Sequence, residues 1–172
     1  MIKKILILSL LIPFLLASQL YFMPFEAHQA KKELLDWIDH AHSRIDIAMY
    51  TLTNKTIAKH LKNAARRGVH IRIVFDYDQI KSRYSKLRYL AKYKNIDIFT
   101  LRGKYAKRGE YYGKMHIKMA IFDNKKLTFG SANWTNAAFS KNYEVIYFTK
   151  DFSLAKKAKR GFERLIRLAH HY

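Results

Sequence analysis

Residues His116 to Asn133 read HIKMAIFDNKKLTFGSAN, and this stretch decides the fold expected for the whole chain. It holds two apolar runs, Ile117 to Phe122 and Leu127 to Phe129, which are typical of buried strands. The polar residues Asp123 to Lys126 between them predict a turn, so the two strands should pair around it. The stretch therefore predicts a strand pair that carries an imidazole, an ammonium group and an amide.

His116 and Lys118 are two residues apart, so on an extended segment their side chains point to the same face. Imidazole can attack phosphorus or transfer protons near neutral pH, and the lysine supplies a fixed positive charge for phosphoryl oxygens. Gly130 and Ser131 provide a backbone that allows close approach, and Asn133 adds amide donors. Together these residue types favour a phosphoryl-transfer site that carries its own cations.

The spacing H-x-K-x4-D-x6-G-S-x-N resembles the motif of the phospholipase D superfamily, and in particular its single-motif bacterial nuclease branch. The resemblance implies an α/β/α domain whose motif strand lies near the middle of the sheet. The site residues that it implies are a nucleophile (His116), two phosphate ligands (Lys118 and Asn133), a helper in the same site (Ser131), structural supports (Asp123 and Gly130), and a carboxylate that holds the nucleophile (Glu144).

Hydrolysis through two histidines needs two motifs, because one imidazole attacks phosphorus while another protonates the leaving oxygen. The chain has no second full motif, since His60 and Lys62 have the right spacing but Arg67 stands where the aspartate should be. The resemblance therefore implies a homodimer with its active site on the two-fold axis. It implies no bound metal or other cofactor, because Lys118 replaces the charge that Mg²⁺ provides in many nucleases.

The chain is strongly basic, with 33 Lys and Arg against 13 Asp and Glu and a net charge of +20. This charge favours nucleic acid or an anionic membrane surface as a partner. Residues 81–114 contain eleven basic and two acidic residues with interleaved tyrosines, which suits stacking on the unpaired bases of single-stranded DNA or RNA. For Tyr84 to Tyr93 the alternative is a solvated basic helix. The substrate-binding residues expected in this region are Lys104, Lys107, Arg108, Tyr111, Tyr112 and Lys114.

Glycines punctuate the segment from Lys104 to Lys114 and its flanks. Gly103, Gly109 and Gly113 therefore predict a mobile loop, which would lie at the mouth of the site because it leads into His116.

Residues 1–17 resemble a secretory signal, since two lysines precede the apolar run Ile5 to Leu16 and Ala17 is small enough for cleavage. Leu15 suits a cleavage site poorly, so a retained N-terminal membrane anchor stays an alternative. Either form predicts export to the bacterial cell envelope. The chain has no cysteine, which excludes disulfides, thiolate chemistry and cysteine-based zinc sites.

Residues 20–172 are expected to form one α/β domain without repeats or internal linkers. Apolar periodicity predicts a helix over Glu26 to Ala41, a second that Asn54 caps and that ends near Gly68, and a last helix over Phe152 to Leu168. Because strands alternate with helices, we expect a mixed sheet with helices on both faces. The other predicted strands are Leu20 to Phe25, Arg44 to Tyr50, Val69 to Phe75, Ile96 to Thr100 and Val145 to Phe148.

Three functions fit these observations. The first is a metal-independent phosphodiesterase or nuclease that cuts DNA or RNA, preferably single-stranded, through a phosphohistidine on His116. The second is a phospholipase that hydrolyses an anionic lipid such as cardiolipin, for which an apolar groove beside the motif is expected. The third is a nucleic-acid-binding envelope protein without activity, whose affinity would fall steeply with salt. The intact motif and the polar segment before His116 favour the nuclease.

Overall fold

The computed structural model describes residues 18–172, so the expected signal or anchor at residues 1–17 lies outside the described residues. The described chain forms nine strands and four α-helices, with a 3₁₀ helix at Tyr77–Lys81. In chain order the elements are β1 (Gln19–Met23), α1 (Ala27–Asp39), β2 (Arg44–Met49), α2 (Lys55–Arg66), β3 (His70–Asp76), α3 (Leu87–Leu90), β4 (Ile96–Ala106), β5 (Tyr111–Lys114), β6 (Lys118–Phe122), β7 (Lys126–Gly130), β8 (Glu144–Thr149), α4 (Phe152–Leu168) and β9 (His170–His171).

The strands form one sheet in which β6, the strand that carries the motif, lies near the middle. The sheet order is β1-β8-β7-β6-β2-β3-β4-β5, and β9 pairs with β4. β2, β3 and β4 are parallel, whereas β1, β8, β7, β6 and β2 pair antiparallel in succession. The predicted mixed sheet, the position of the motif strand and the pairing of β6 with β7 are therefore confirmed.

Successive side chains of the sheet face two different layers of helices. Ile47 of β2 packs into a core with α1, α2 and α3, whereas its neighbour Ala48 packs with Phe162 of α4. Because alternate side chains of a strand point to opposite faces, α4 covers one face of the sheet and the other three helices cover the opposite face. The predicted α/β/α layering is confirmed.

The helices begin largely where the sequence predicts. Asn54 Oδ1 accepts a hydrogen bond from Ile57 N at 3.1 Å, which confirms the predicted cap of α2. Asp151 caps α4 in the same way, accepting from Leu154 N at 3.0 Å. The basic helix considered for Tyr84 to Tyr93 is reduced to the short α3. Within residues 18–172, no helix is both long enough and apolar enough to cross a membrane.

The segment expected to be a mobile loop, residues 104–114, is instead part of a β-hairpin formed by β4 and β5. β4 continues well past its predicted end at Thr100, and β5 returns antiparallel beside it. A Cβ added to Gly103 would collide with the backbone of Gly113, so Gly103 allows the two strands to pack closely at this point. Gly109 has a φ of 94° in the turn of the hairpin, a conformation that favours glycine. The mobile-loop prediction is therefore wrong, because the glycines serve strand packing and a tight turn.

The first strand joins the sheet at its edge, antiparallel to β8. Met23 lies opposite Glu144 at the start of β8. Ser18 Oγ lies 2.8 Å from Thr149 Oγ1, at the end of β8. The chain upstream of Ser18 is therefore joined to the domain at the sheet edge where β8 ends.

Candidate active site

The motif residues meet at one edge of the sheet. Met49 at the end of β2 pairs with Lys118 at the start of β6. Gly130 at the end of β7 lies opposite Ile146, near the start of β8. The residues that follow β2 and β7 and those that precede β6 therefore lie at the same edge as the start of β8. The predicted site residues at this edge, called the catalytic edge below, are His116, Lys118, Ser131, Asn133 and Glu144.

His116 and Lys118 are in direct contact, as their spacing predicts. Lys118 Nζ lies 2.9 Å from Nδ1 and 3.0 Å from Nε2 of His116, and it donates to the His116 carbonyl oxygen at 2.9 Å. An ammonium group can donate only to a ring nitrogen that holds a lone pair, which a nucleophilic imidazole also needs. His116 is exposed and Lys118 is buried, so this contact places a buried cation beside an exposed imidazole.

Lys118 is buried, with only 7% of its surface exposed. Burial lowers the pKa of its ammonium group, and the negative charge of Glu144 partly opposes this effect. Within residues 18–172, no carboxylate lies close enough to Lys118 to form an ion pair. A buried cation without an ion-pair partner costs free energy, and a bound phosphate group would supply the missing negative charge.

Tyr50 is a site residue that the sequence argument missed. Its ring centroid lies 4.5 Å from that of His116, and Lys118 Nζ lies 5.2 Å from the Tyr50 centroid. Gln79 Nε2 donates to Tyr50 Oη at 3.2 Å, and Thr51 Oγ1 donates to Gln79 Oε1 at 3.2 Å. Tyr50 and Thr51 directly follow β2, and polar residues after the carboxyl end of a buried parallel strand are a signal that the sequence contained.

Asn133 is held by the backbone that follows β2. Thr51 N donates to Asn133 Oδ1 at 3.2 Å, and Trp134 N donates to the carbonyl oxygen of Thr51 at 3.0 Å. Because its amide oxygen already accepts a bond, Asn133 offers the hydrogens of Nδ2 to a ligand, and phosphate oxygens accept such donors. The role of Asn133 as a phosphate ligand stays a prediction.

Ser131 and Glu144 form a hydrogen-bonded pair at the same edge of the sheet. Ser131 Oγ donates to Glu144 Oε2 at 2.5 Å and accepts from Val145 N at 3.0 Å, while Asn142 Nδ2 donates to Glu144 Oε1 at 3.2 Å. Among the described residues no hydrogen bond joins Glu144 to His116, which differs from the contact expected from the sequence. The structure thus places the carboxylate at the site edge and commits it to Ser131 and Asn142 within one chain.

The two expected supports, Asp123 and Gly130, hold backbone segments together. Burial raises the pKa of Asp123, but backbone N–H groups of residues 42–44 and the Ser43 hydroxyl donate to its carboxylate, and the net result is a lowered pKa. This half-buried carboxylate joins the turn after β6 to the start of β2. A Cβ on Gly130 would collide with the carbonyl oxygen of Val145. The close approach predicted for Gly130 is therefore to strand β8.

The predicted substrate-binding residues lie on the β4–β5 hairpin. Lys114 differs from the others because its ammonium group pairs with Asp78. The next residue, Met115, donates its N–H to Asp76 Oδ2 at 2.9 Å, which ties the base of the hairpin to the end of β3. The hairpin therefore leads directly into His116. Its other predicted ligands are exposed, namely Lys104, Lys107, Arg108, Tyr111 and Tyr112.

An apolar groove of about 400 Å³ lies beside the motif. His116 and Lys118 line it together with side chains from β7 and α4. This feature was the one expected of a lipid-binding site, and sequence reasoning missed it because distant elements form its walls. The other lining residues are Ile117, Met119, Leu127, Phe129, Gly130, Leu154, Lys157 and Ala158.

Two histidines away from the motif, His60 and His70, have carboxylate partners. His60 Nδ1 lies 2.8 Å from Asp39 Oδ1, and His70 Nε2 lies 2.7 Å from Asp97 Oδ2. Across residues 18–172, no three His, Asp or Glu side chains are grouped so that they could hold a metal ion. The metal independence implied by the family resemblance stays a prediction.

Comparison with known proteins places the chain in a family. Residues 34–166 match the family model described as "Cardiolipin synthase, PLD-like domain". The chain therefore belongs to the phospholipase D-like family, and the recognition made from the motif is confirmed.

Two solved structures are similar over almost their whole length. NucT from Helicobacter pylori is 36% identical, with a TM-score of 0.88, over 91% of this chain and 99% of its own. Nuc from Salmonella typhimurium, described as a phospholipase D family member, is 27% identical, with a TM-score of 0.76, over 91% of this chain and 97% of its own.

The mitochondrial cardiolipin hydrolase of Chlamydomonas reinhardtii is 30% identical over 76% of this chain and 55% of its own length. The chain thus spans about half the length of the curated relatives that it matches.

Proposed function

We propose that the protein is a metal-independent nuclease that hydrolyses DNA or RNA, preferably single-stranded, through a phosphohistidine on His116. The observation that carries this proposal is the contact between the exposed imidazole of His116 and the buried ammonium group of Lys118. Membership of the phospholipase D-like family supports hydrolysis of a phosphodiester as the class of reaction.

The proposed reaction consists of two displacements at phosphorus. A ring nitrogen of His116 attacks with its lone pair, and the bond between phosphorus and the leaving oxygen breaks to give a phosphohistidine. A second imidazole gives its proton to the leaving oxygen and then takes a proton from water, which attacks phosphorus and releases His116. Lys118 and the Nδ2 group of Asn133 donate to the phosphoryl oxygens, where negative charge grows in the transition state.

A homodimer would supply the second imidazole, because the chain carries one full motif. An isologous interface brings the same surface of two copies together across a two-fold axis, and thus two copies of His116. Glu144 accepts one bond from Ser131 and one from Asn142, and a carboxylate has about four acceptor sites, so it keeps lone pairs with which to orient the imidazole of the second copy in the dimer. Sedimentation tests this step, since a species of one 20.4 kDa chain that retains full activity would contradict it.

Charge and aromatic residues support nucleic acid as the substrate. The net charge of +20 favours a polyanion. The β4–β5 hairpin carries exposed cations and tyrosines, and its second strand leads into His116. A single strand held along the hairpin would place a phosphodiester near the nucleophile, with bases stacked on tyrosine rings.

Hydrolysis of an anionic lipid such as cardiolipin is the second candidate. The apolar groove beside His116 supports it, because such a groove suits an acyl chain whose phosphodiester reaches the imidazole. The relative from C. reinhardtii is named a mitochondrial cardiolipin hydrolase. Binding of nucleic acid without turnover is the third candidate.

The test is cleavage of labelled single-stranded DNA, single-stranded RNA, duplex DNA and cardiolipin vesicles by the purified protein in excess EDTA. The nuclease proposal expects cutting of a single strand that survives chelation and is lost by at least about 10³-fold in His116→Ala, while affinity is retained. Turnover of cardiolipin alone would replace the nuclease with a phospholipase. Tight binding of DNA without turnover of any substrate would leave a binding protein.

We also propose that the protein is exported to the bacterial cell envelope and associates with a membrane surface. The lysines at positions 3 and 4 and the apolar run that follows them support this location. Fractionation of cells that express the full chain tests it, with a cytoplasmic enzyme as marker. Recovery of the protein with that marker would contradict export.

A further inference from the structure

A second basic surface lies away from the hairpin, on α2 and the residues around α3. It is a groove of about 470 Å³ lined by Lys55, Lys59, Lys62, Lys86 and Tyr89, with Ala58 also in its lining. We propose that this α2 groove binds the backbone of a single-stranded nucleic acid on its way to the active site. This inference rests on the proposed nuclease function and names a binding site for its substrate.

The α2 groove follows from the two faces of α2. The apolar face of the helix packs into the core through fully buried side chains such as Ile57 and Leu61. Lys55, Lys59 and Lys62 follow one another at intervals of four and three residues, so they share one face of the helix. Hydrophobic packing of one face thus leaves a row of cations on the surface.

The cations of the α2 groove are not neutralised within the domain. Among residues 18–172, none of Lys55, Lys59, Lys62 and Lys86 forms an ion pair. No carboxylate lines the groove. Like charges four residues apart destabilise a helix by a few tenths of a kcal/mol per pair, and a bound polyanion would reverse the sign of that effect. The charge pattern therefore complements a phosphate backbone.

Aromatic rings continue the α2 groove toward the end of the helix. Tyr89 packs edge-on against Tyr93, with 5.6 Å between ring centroids. The guanidinium carbon of Arg66, at the end of α2, lies 5.7 Å from the Tyr93 centroid. Cations that follow a backbone and rings that accept bases are the combination used for single strands without sequence preference. A nucleic acid is favoured over a lipid surface, because the apolar face of α2 is buried in the core and is not free to insert into lipid.

The α2 groove begins close to the catalytic edge. Lys86 N donates to the carbonyl oxygen of Leu52 at 3.0 Å, and Asn54 N donates to the carbonyl oxygen of Trp134 at 3.0 Å. Trp134 directly follows the predicted phosphate ligand Asn133. From Lys55 to Lys62 the helix rises about 10 Å, which is about three nucleotides of a stacked strand. A strand that leaves the site beside Asn133 would therefore meet successive lysines of α2.

The experiment compares two triple variants that remove the same charge from opposite faces of the sheet. The groove variant is Lys55→Gln, Lys59→Gln, Lys62→Gln, and the control is Lys156→Gln, Arg160→Gln, Arg164→Gln on α4. Lys62 is half-buried and the other five residues are exposed, and none of the six forms an ion pair in the described range. Both are made in the full chain with His116→Ala. Binding of fluorescein-labelled (dT)20 is then measured across a salt series, after thermal melts have shown that both variants are folded.

The α2 groove proposal expects the groove variant to weaken (dT)20 binding by about 10-fold or more. It also expects the slope of log affinity against log salt to fall by about 2, since each lost phosphate contact removes about 0.7 on a single strand. The α4 control should lose less than about threefold. Equal losses in the two variants would overturn the proposal, because net charge alone would then explain binding. Loss of binding to phosphatidylglycerol vesicles, with (dT)20 binding unchanged, would overturn it in favour of a lipid surface.

A second experiment distinguishes substrate binding in the α2 groove from the chemical step at His116. In chains that keep His116, the groove variant should lower kcat/KM for (dT)20 by about 10-fold and leave (dT)4 and bis(p-nitrophenyl) phosphate unaffected, since these are too short to reach both sites. If no nucleic acid is cut by any chain, the nuclease proposal fails while the binding comparison still decides the groove. If (dT)20 is cut equally well by the groove variant, the groove proposal fails and the nuclease stands.

Discussion

Two lysines are largely buried against the same sheet, and they differ in what surrounds them. Lys159 of α4 lies 2.5 Å from Asp46 Oδ2 and 2.9 Å from Glu163 Oε1. Lys118 at the catalytic edge instead contacts the imidazole and carbonyl oxygen of His116. One cation is neutralised within the fold, and the other keeps a charge that a ligand can neutralise.

The neutralised region is a network that joins β2, β3 and α4. Arg72 Nε lies 2.7 Å from Asp46 Oδ1, and Arg72 Nη2 lies 2.7 Å from Glu163 Oε1. The hydrogen bond from Arg72 is the largest of the effects that lower the pKa of Glu163 to about 2, against an opposing effect of burial. We interpret the complete pairing of this network as structural, and the missing ion-pair partner of Lys118 agrees with its proposed role as a phosphate ligand. If variants of the two regions changed the same property, either the free energy of unfolding or kcat, this distinction between them would fail.

The largest effect is expected from Asp46→Asn. Asp46 is fully buried and pairs with both Arg72 and Lys159, so its loss leaves two cations with less compensation. We expect the free energy of unfolding to fall by about 3–5 kcal/mol in urea titrations. The exposed Asp36→Asn is the matched control and should change stability by less than about 0.5 kcal/mol. Equal stability of the two variants would remove the structural half of the comparison.

Lys118→Met should lower kcat without lowering stability, the reverse of what is expected for Asp46→Asn. Without the ammonium group the transition state loses a donor to phosphoryl oxygen, and kcat should fall by about 10²–10³-fold, or about 3–4 kcal/mol. Stability should stay the same or rise, because a buried cation has been replaced by an apolar side chain of similar length. Lys157→Met, in the lining of the apolar groove, serves as the control. A large loss of stability in Lys118→Met with normal kcat would show that the region is structural.

Tyr50→Leu should have a moderate effect on kcat. The substitution removes the ring that packs against His116 and lies 5.2 Å from Lys118 Nζ. An interaction of this kind contributes about 0.5–2 kcal/mol, so kcat should fall by about 2- to 30-fold. Tyr50→Phe keeps the ring and loses only the bond from Gln79, and its kcat should be closer to that of the unchanged protein. Steady-state rates of both variants check this order, and a larger loss in Tyr50→Phe would contradict it.

Glu163→Gln should have the smallest effect, visible mainly in acid. The pKa of Glu163 is about 2 in the folded state and 4.5 ordinarily, so the unfolded state binds more protons between these values. This part of the stability is present above about pH 4.5 and is lost as the pH falls toward 2. The melting temperature of Glu163→Gln should therefore fall less between pH 5 and pH 2.5, by about 2–4 °C. Parallel curves for the two proteins would contradict the pairing.

The parts of the site that the sequence predicted correctly depend on short spacings. His116 and Lys118 are two residues apart on an extended segment, so their contact follows from the geometry of one strand. The cap by Asn54 likewise depends on Ile57, three residues away. The fold could be predicted from periodicity and from the motif, since the apolar runs of β6, β7 and β8 can be recognised in the sequence without knowing which strands they pair with.

The features that the sequence did not predict depend on how elements far apart in the sequence pair and pack. Tyr50 meets His116 because Met49 pairs with Lys118, a register that no local pattern specifies. The apolar groove needs α4 to pack beside β7. Gly103 and Gly113 were interpreted as loop residues because a glycine in a tight strand pair has the same local pattern as one in a loop.

Ser18, the first described residue, and the motif lie at opposite ends of β8. Ser18 lies beside Thr149, where β8 ends, whereas Glu144 and the motif lie where β8 begins. One strand length, about 17–20 Å, therefore separates the point of attachment from the reacting atoms. If residues 1–17 were held in a bilayer, the nucleophile would lie on the far side of the domain from that bilayer. A tethered enzyme of this design would act on strands that arrive from the surrounding solution, and its own anchoring lipids would be out of reach.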